Sequence, residues 1–231
     1  MSPLSREEAI TYLRQQPGGQ NFIRDCYYDD PLLEAAQRFA AGEEWREVRK
    51  FLPKAKGSAI DIGAGRGISS FALASDGWEV TALEPDPSAL IGAGAIRSLA
   101  GSQRLGIKVV EGGAEVLPFK NDSFDLIYGR QILHHAKDMG LVCREAARVL
   151  KPGGRFLATR EHVIDGPEGL KTFLGGHAVH RLCGDEHAFL LREYVSAISS
   201  GGLKLLKILR PLESAINRVD GFLRGSFRGP K

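Results

Sequence analysis

The sequence predicts an α/β fold, a doubly wound and mostly parallel sheet. Short apolar strands alternate with helical segments from Gly57 onward, and a glycine-rich turn over 63–67 follows the first strand. An acidic residue, Glu84, ends the second strand, seventeen positions after the turn. Alternating strands and helices form parallel sheets, which bind ligands at the carboxyl ends of their strands.

A helical segment precedes the sheet. Ser5, two early glutamates and apolar residues at helical spacing predict a helix over 5–16, which Pro17-Gly18-Gly19 ends. Apolar residues at helical intervals predict a second helix over about 31–51.

Five strands with intervening helices should follow. We expect the strands near 58–62, 78–84, 106–111, 124–129 and 154–161. Asp86-Pro87 resembles an N-cap and a first-turn proline, so a helix should begin there. Beyond the fifth strand the pattern is irregular through Gly184, and then predicts a helix over 186–200 and a sixth strand over 203–209. Whether a seventh strand follows is left open.

Composition limits the possible functions. The 231 residues, 43% hydrophobic and 26% charged, predict one domain with enough apolar material for a core. We divide it into a lid segment (1–56), an α/β core (57–210) and a basic tail (211–231). The net charge of +3 disfavours nucleic-acid binding as the main activity, despite basic residues in the tail.

The three cysteines are far apart and have neither disulfide nor metal spacing. The sequence shows no signal peptide and no membrane-spanning apolar run. We therefore expect a cytoplasmic protein with reduced cysteines and no membrane contact.

The glycine turn predicts a nucleoside-containing cofactor. A strand that enters such a turn and then a helix lets a ligand approach the backbone, with free N–H groups facing it. A carboxylate at the tip of the next strand can accept both ribose hydroxyls. A dinucleotide fingerprint would place its third glycine at position 68, which is Ile68, whereas the glycines here are Gly63, Gly65 and Gly67.

This spacing resembles the first motif of the class I S-adenosylmethionine-dependent methyltransferases, which have Rossmann-like sheets, and Asp61 occupies the motif's acidic position. Three later segments resemble further motifs in family order: VEGGAEVLPF at 110–119, DSFDLIYGRQILHH at 122–135 and ARVLKPGGRFL at 147–157. The resemblance covers residues 57–162 and implies S-adenosylmethionine as cofactor, under an N-terminal lid.

The resemblance also implies which residues contact the cofactor. They are Asp61, Gly63, Gly65, Gly67, Glu84, Pro85, Gly113, Ala114, Glu115, Arg130 and Gln131. Asp61 should lie near the cofactor ammonium and Glu84 at the ribose hydroxyls. Gly113 replaces the usual aspartate acceptor for the adenine amino group, for which Glu115 could substitute. Because a cation beside a sulfonium is unfavourable, Arg130 should meet a carboxylate of the cofactor or of an anionic substrate.

Methyl transfer is an in-line displacement in which positioning supplies most of the catalysis. A hydroxyl acceptor also benefits from a base, for which histidine is suited. The candidates are His162, His134 and His135, although each could simply line the cleft. Candidate substrate contacts are Tyr27, Tyr28, Arg160, Glu161 and His187. Residues 175–187 hold three histidines and two carboxylates, but their spacing matches no metal signature, so no metal is predicted.

The resulting hypothesis is methyl transfer to an oxygen of a small polar metabolite. Transfer to a nitrogen or a carbon ranks second. One alternative is a non-catalytic or regulatory S-adenosylmethionine-binding protein, motivated by Gly113 and the short C-terminal region. Another is a nicotinamide oxidoreductase, against which the glycine spacing counts. The sequence does not predict the oligomeric state.

Overall fold

A computed structural model describes residues 3–217 and has a five-stranded sheet at its centre. The strands are β1 (Ser58–Ile62), β2 (Glu79–Leu83), β3 (Lys108–Val110), β4 (Phe124–Arg130) and β5 (Leu150–Thr159). All neighbouring pairs are parallel, in the order β3-β2-β1-β4-β5. The order in which strands are added to the sheet therefore reverses between β1 and β4. Ligands of such sheets bind at the carboxyl ends of the strands, next to this switch point. The predicted doubly wound sheet is confirmed.

Helices cover both faces of the sheet. In chain order they are α1 (Arg6–Gln15), α2 (Gln20–Asp25), α3 (Leu32–Ala41), α4 (Glu43–Val48), α5 (Ile68–Ser75), α6 (Ala93–Gln103), α7 (Met139–Val149), α8 (Pro167–Gly176), α9 (His180–Cys183) and α10 (Leu191–Ser200). A second, two-stranded parallel sheet pairs β6 (Val163–Ile164) with β7 (Phe189–Leu190).

Successive residues of β4 pack on opposite faces of the sheet, as the two-residue period of a strand requires. Leu126 and Tyr128 join the cluster around Trp45 on one face, whereas Ile127 joins Ile60 and the apolar side of α7 on the other. All five side chains are fully buried. These two apolar layers hold the strand ends that carry the candidate site.

The N-terminal helices differ from prediction in one respect. Ser5 caps α1 with the expected capping box, in which its hydroxyl accepts from the Glu8 N–H. The single helix expected over 31–51 is instead two helices, because Gly42 takes an extended conformation between α3 and α4. This break turns the start of α4 inward, with the consequence for Glu44 described below.

The helix expected to begin at Asp86-Pro87 is also absent there. Asp86 accepts a hydrogen bond from the Ser88 N–H at 2.8 Å, which makes a local turn, and α6 begins only at Ala93. Local side-chain to backbone bonds of this kind compete with helix formation.

The sixth strand predicted over 203–209 is wrong, since this described segment contains no strand. Leu203 and Leu209 pack against the core, but Leu206 and Ile208 are 72% and 42% exposed, so no continuous apolar face exists. The stretch before Gly184 contains α8 and α9, and the helix expected from 186 begins at Leu191.

The region after 210 forms turns and a 3₁₀ helix over Ala215–Asn217 in its described part, and the basic residues of the predicted tail lie outside the described residues. None of the helices within 3–217 combines the length and apolar character needed to cross a bilayer.

Candidate active site

The glycine turn joins β1 to α5. Gly63, Gly65 and Gly67 have φ angles of 63°, 53° and 83°, a left-handed conformation that glycine adopts without strain. A Cβ atom added at Gly63 would lie 2.5 Å from the Ile132 Cδ1 atom, whereas at Gly65 the nearest atom, the Ile91 carbonyl oxygen, is 4.0 Å away. The turn therefore leaves space for a ligand beside Gly65.

Asp61, the fourth residue of β1, provides an unsatisfied acceptor. Its Oδ2 atom accepts from the Ser69 and Ser70 hydroxyls at 2.7 and 2.6 Å. Its Oδ1 atom is buried and has no hydrogen-bond partner within residues 3–217. Burial raises the pKa of Asp61 to about 6, against the opposing effect of the two serine hydroxyls. A cationic group of a ligand would satisfy this oxygen.

Glu84 directly follows β2 and faces the glycine turn. Its carboxylate accepts from the Gly65 N–H at 2.7 Å and from the Asp86 N–H at 3.0 Å, while burial raises its pKa. Each oxygen retains acceptor capacity for a hydroxyl. Pro85, the next residue, is exposed.

The third motif follows β3. Gly113 is exposed, whereas Ala114 is buried. The carboxylate of Glu115 accepts from the Lys137 N–H at 3.0 Å. Glu115, the expected substitute acceptor for adenine, thus anchors the loop before α7.

Arg66 connects the glycine turn to the lid, a contact that sequence reasoning missed. Its guanidinium is 5% exposed and donates to the carbonyls of Tyr27 and Asp29 at 3.2 and 2.9 Å, and to the Asp30 carboxylate. Arg14 of α1 also pairs with Asp30, at 2.7 Å. The sequence signal that could have indicated this contact is a cationic residue between Gly65 and Gly67 in an otherwise apolar stretch.

The two tyrosines of the lid segment are half-buried and pack against neighbouring side chains. The Tyr27 ring contacts Phe39 edge-on at 5.3 Å and lies under the Arg130 guanidinium at 5.4 Å. Tyr28 belongs to the apolar cluster beneath α1, and its carbonyl accepts from Arg14. These contacts position the lid, the more ordinary of the two interpretations that the sequence allowed.

Arg130 has a carboxylate partner within the chain. It donates to Glu44 of α4, at 2.7 and 3.1 Å. Its predicted contact with a carboxylate of the cofactor or substrate stays a prediction. Arg160, predicted to contact substrate, donates to the same Glu44 at 3.1 Å. The break at Gly42 directs Glu44 inward, where it is 7% exposed.

Glu161, a predicted substrate contact, is held in place by groups of the chain itself. Its carboxylate accepts the backbone N–H groups of Ile132, Leu133 and His134, each at 3.1 Å. It also bonds the His134 Nδ1 atom at 2.7 Å. Glu161 thereby joins the loop after β4 to the segment after β5 and fixes the imidazole of His134.

The three candidate bases lie together. The His134 ring stacks on His162 at 4.1 Å and lies 4.3 Å from His135, centroid to centroid. Burial lowers the pKa of His134 and His162 to about 3 and that of His135 to about 4, so all three are neutral. The Gln131 amide lies 3.2 Å from the His162 Nε2 atom.

Glu186 completes this histidine cluster from the far side. Its Oε1 atom bonds Arg6 of α1 at 2.6 Å, and its Oε2 atom lies 3.8 Å from His134 Nε2 and 3.6 Å from His135 Nε2. No sequence signal links these segments, which are far apart in the chain. His187, by contrast, is exposed, and its ring stacks on Phe189.

Comparison with known proteins gives consistent matches. Residues 60–158 match the family described as "Methyltransferase domain". An O-methyltransferase, resE, from Aspergillus sclerotiorum is 32% identical over 182 residues, which cover 74% of this chain and 67% of resE. A sarcosine/dimethylglycine N-methyltransferase from Aphanothece halophytica is 31% identical over 66% of this chain and 55% of its own length.

The uncharacterized methyltransferase YcgJ from Bacillus subtilis is 33% identical over 130 residues. This match covers 56% of the chain and spans about half of YcgJ, 51%. The crystal structure of YcgJ superposes with a TM-score of 0.63 at 26% identity, covering 72% of this chain and 70% of that one.

Proposed function

The chain belongs to the class I S-adenosylmethionine-dependent methyltransferases, and on this premise we propose that it methylates an oxygen of a small polar metabolite. The observation that carries the proposal is the meeting of two groups of residues at the carboxyl edge of the sheet. Asp61 lies near the end of β1, the glycine turn follows that strand, and Glu84 follows β2. The histidine cluster follows β4 and β5. When bound, S-adenosylmethionine supplies a methyl group already activated on a sulfonium.

The cofactor end of the site fits this ligand chemically. The free Oδ1 atom of Asp61 is a suitable acceptor for the ammonium group, and Glu84 for the ribose hydroxyls. The space beside Gly65 allows close approach to the backbone. An amide at position 61 would lack the charge that favours the ammonium.

At the acceptor end, we assign proton removal to the histidine cluster. Glu161 accepts the Nδ1–H of His134, which makes Nε2 the unprotonated nitrogen of that ring. This Nε2 atom is buried and has no hydrogen-bond partner within the described residues, so its lone pair is available to a hydroxyl that reaches it. The His162 ring stacks on the His134 ring. The preference for oxygen rests on this match between a neutral imidazole acceptor and a hydroxyl donor.

The test is transfer of labelled methyl from the cofactor into a small-metabolite extract. The wild-type protein should label a product whose methyl group has the NMR shift of a methyl ether or ester. Asp61→Ala should abolish labelling, and His134→Gln should lower the rate with little change in cofactor affinity. An N-methyl product would instead assign the nitrogen chemistry that the N-methyltransferase relative performs.

Two other results would change the proposed function. Binding of S-adenosylmethionine without any transfer would support a non-catalytic role. A thermal shift with NAD or NADP, and none with S-adenosylhomocysteine, would support an oxidoreductase. Unchanged rates in both His134→Gln and His162→Ala would refute the proposed proton acceptors while leaving methyl transfer intact.

A further inference from the structure

The histidine cluster brings together acceptor atoms with no donor between them. His134 Nε2 faces the Glu186 Oε2 atom at 3.8 Å, and their side chains are 1% and 2% exposed. His162 contributes a buried Nδ1 atom that also has no partner within residues 3–217. Because the Gln131 amide nitrogen donates to His162 Nε2, this Nδ1 atom carries the ring proton, and binding a metal ion through it requires the other tautomer. Lone pairs facing one another in a low-dielectric interior repel unless a donor or a cation lies between them.

We propose that His134, His162 and Glu186 bind a divalent transition metal ion of the zinc class. Two imidazole nitrogens and one carboxylate oxygen form a donor set that suits Zn²⁺ and leaves a fourth position open. One ligand atom from each residue lies within 4.8 Å of the others. Ligand atoms of a tetrahedral site with bonds of about 2.1 Å are about 3.4 Å apart, so binding requires the ligand atoms to approach one another by up to about 1.4 Å.

The residues around the three ligands also fit a metal site. A metal-bound histidine usually donates its other N–H to a carboxylate, which fixes the tautomer. Glu161 makes this contact with His134 and is itself held by three backbone N–H groups. Arg6 holds the Oε1 atom of Glu186, which leaves Oε2 directed at the imidazoles.

The ligands come from three separate segments: the loop after β4, the segment after β5 and the residues before β7. Glu186 is also tied to the lid through Arg6, at 2.6 Å. The N-terminal segment therefore orients one of the three proposed ligands.

A bound ion and the acceptor's proton would compete for the same His134 lone pair. If the proposed function holds, it follows that the bound metal ion inhibits methyl transfer and so regulates it. Only this inference about regulation rests on the proposed function. The metal site itself can be tested without any activity measurement.

Calorimetric titration of the untagged, chelator-treated protein with ZnCl₂ tests the site. We expect one ion per chain, with His162→Ala and Glu186→Gln each weakening binding at least tenfold. His187→Ala, next to Glu186 but exposed, is the matched control and should bind as the wild type does. Circular dichroism should confirm that all three variants are folded.

Cobalt provides a second readout. Co²⁺ should give the visible absorption of a four-coordinate ion in the wild type and not in Glu186→Gln. No binding by the wild type, or equal binding by His162→Ala and Glu186→Gln, would overturn the proposal. Zinc should also suppress methyl transfer reversibly. If transfer instead requires zinc, the metal site stands and the assignment of His134 as proton acceptor fails.

Discussion

At the scale of single residues, Asp61 is proposed to bind the cofactor ammonium, but its buried carboxylate lowers the stability of the folded protein. Its carboxyl pKa is raised from 3.8 to about 6, so above pH 6 the folded protein holds an ionised group that burial disfavours. At 1.4 kcal/mol per pKa unit, the loss is on the order of 3 kcal/mol at neutral pH and disappears below about pH 4, where the group is protonated in both states.

Asp61→Asn should therefore separate stability from binding. At pH 8 the variant should be as stable as the wild type or more stable in urea unfolding, and at pH 4 the difference should vanish. Its affinity for S-adenosylhomocysteine at pH 8 should fall about tenfold or more, because a charge-assisted hydrogen bond is lost. Unchanged affinity by calorimetry would remove Asp61 from the cofactor site.

Glu84 can be tested against a matched residue on the same strand. Glu84→Gln should weaken S-adenosylhomocysteine binding about tenfold, since hydrogen bonds to a charged acceptor contribute about 1.5–3 kcal/mol. Glu79→Gln, at the exposed start of β2, should bind normally. Equal affinities for the two variants would contradict the ribose assignment.

Glu44 has a structural role that can be measured. Removing its carboxylate leaves Arg130, whose side chain is 9% exposed, without an anionic partner among residues 3–217, and breaking such a buried pair costs about 3–5 kcal/mol. We expect that loss for Glu44→Ala in urea unfolding. Glu43→Ala, exposed on the same helix, should change the stability by less than about 0.5 kcal/mol. A similar small effect for both would show that Arg130 finds another partner.

At the scale of elements, the connector between α2 and α3 depends on Arg66. Arg66→Ala removes hydrogen bonds to two carbonyls and one carboxylate of residues 27–30. Amide hydrogen exchange in this connector should rise, while exchange in β1 and β4 should not. The exposed Arg97→Ala is the control. Slow exchange of the connector in Arg66→Ala would mean that Arg14 alone holds it.

Elements that follow strong local signals could be predicted, and those decided by distant contacts could not. The strands β1 and β4 are apolar runs with turn residues beside them, and the capping box at Ser5 predicts the start of α1. Asp86-Pro87 looked like a helix start, but an equally local bond to Ser88 formed a turn instead. The expected sixth strand failed because no neighbour covers Leu206.

The same distinction applies to the site. The sequence pattern located the glycine turn, Glu84 and the histidines, because family motifs are contiguous. It missed Arg66, Glu44 and Glu186, whose partners lie 36 to 180 positions away along the chain. Long-range ion pairs leave no periodicity in a sequence, so only the folded arrangement reveals them.

At the scale of the whole molecule, ligand binding should stabilise the folded state. S-adenosylhomocysteine at 100 times its Kd should add about 2.7 kcal/mol. For a domain of this size, each kcal/mol shifts Tm by about 2–4 °C, so a rise of about 5–11 °C is expected. NAD at the same concentration should cause no shift. A shift with NAD alone would contradict the cofactor assignment.

The contacts of Arg66 have a consequence for how this protein can change over evolution. Two of its three partners are backbone carbonyls, which every amino acid provides. Side chains at positions 27 and 29 can therefore be replaced without removing those docking bonds, provided that the chain keeps its path. Substitutions at these two positions therefore leave the anchoring of the connector to the glycine turn unchanged.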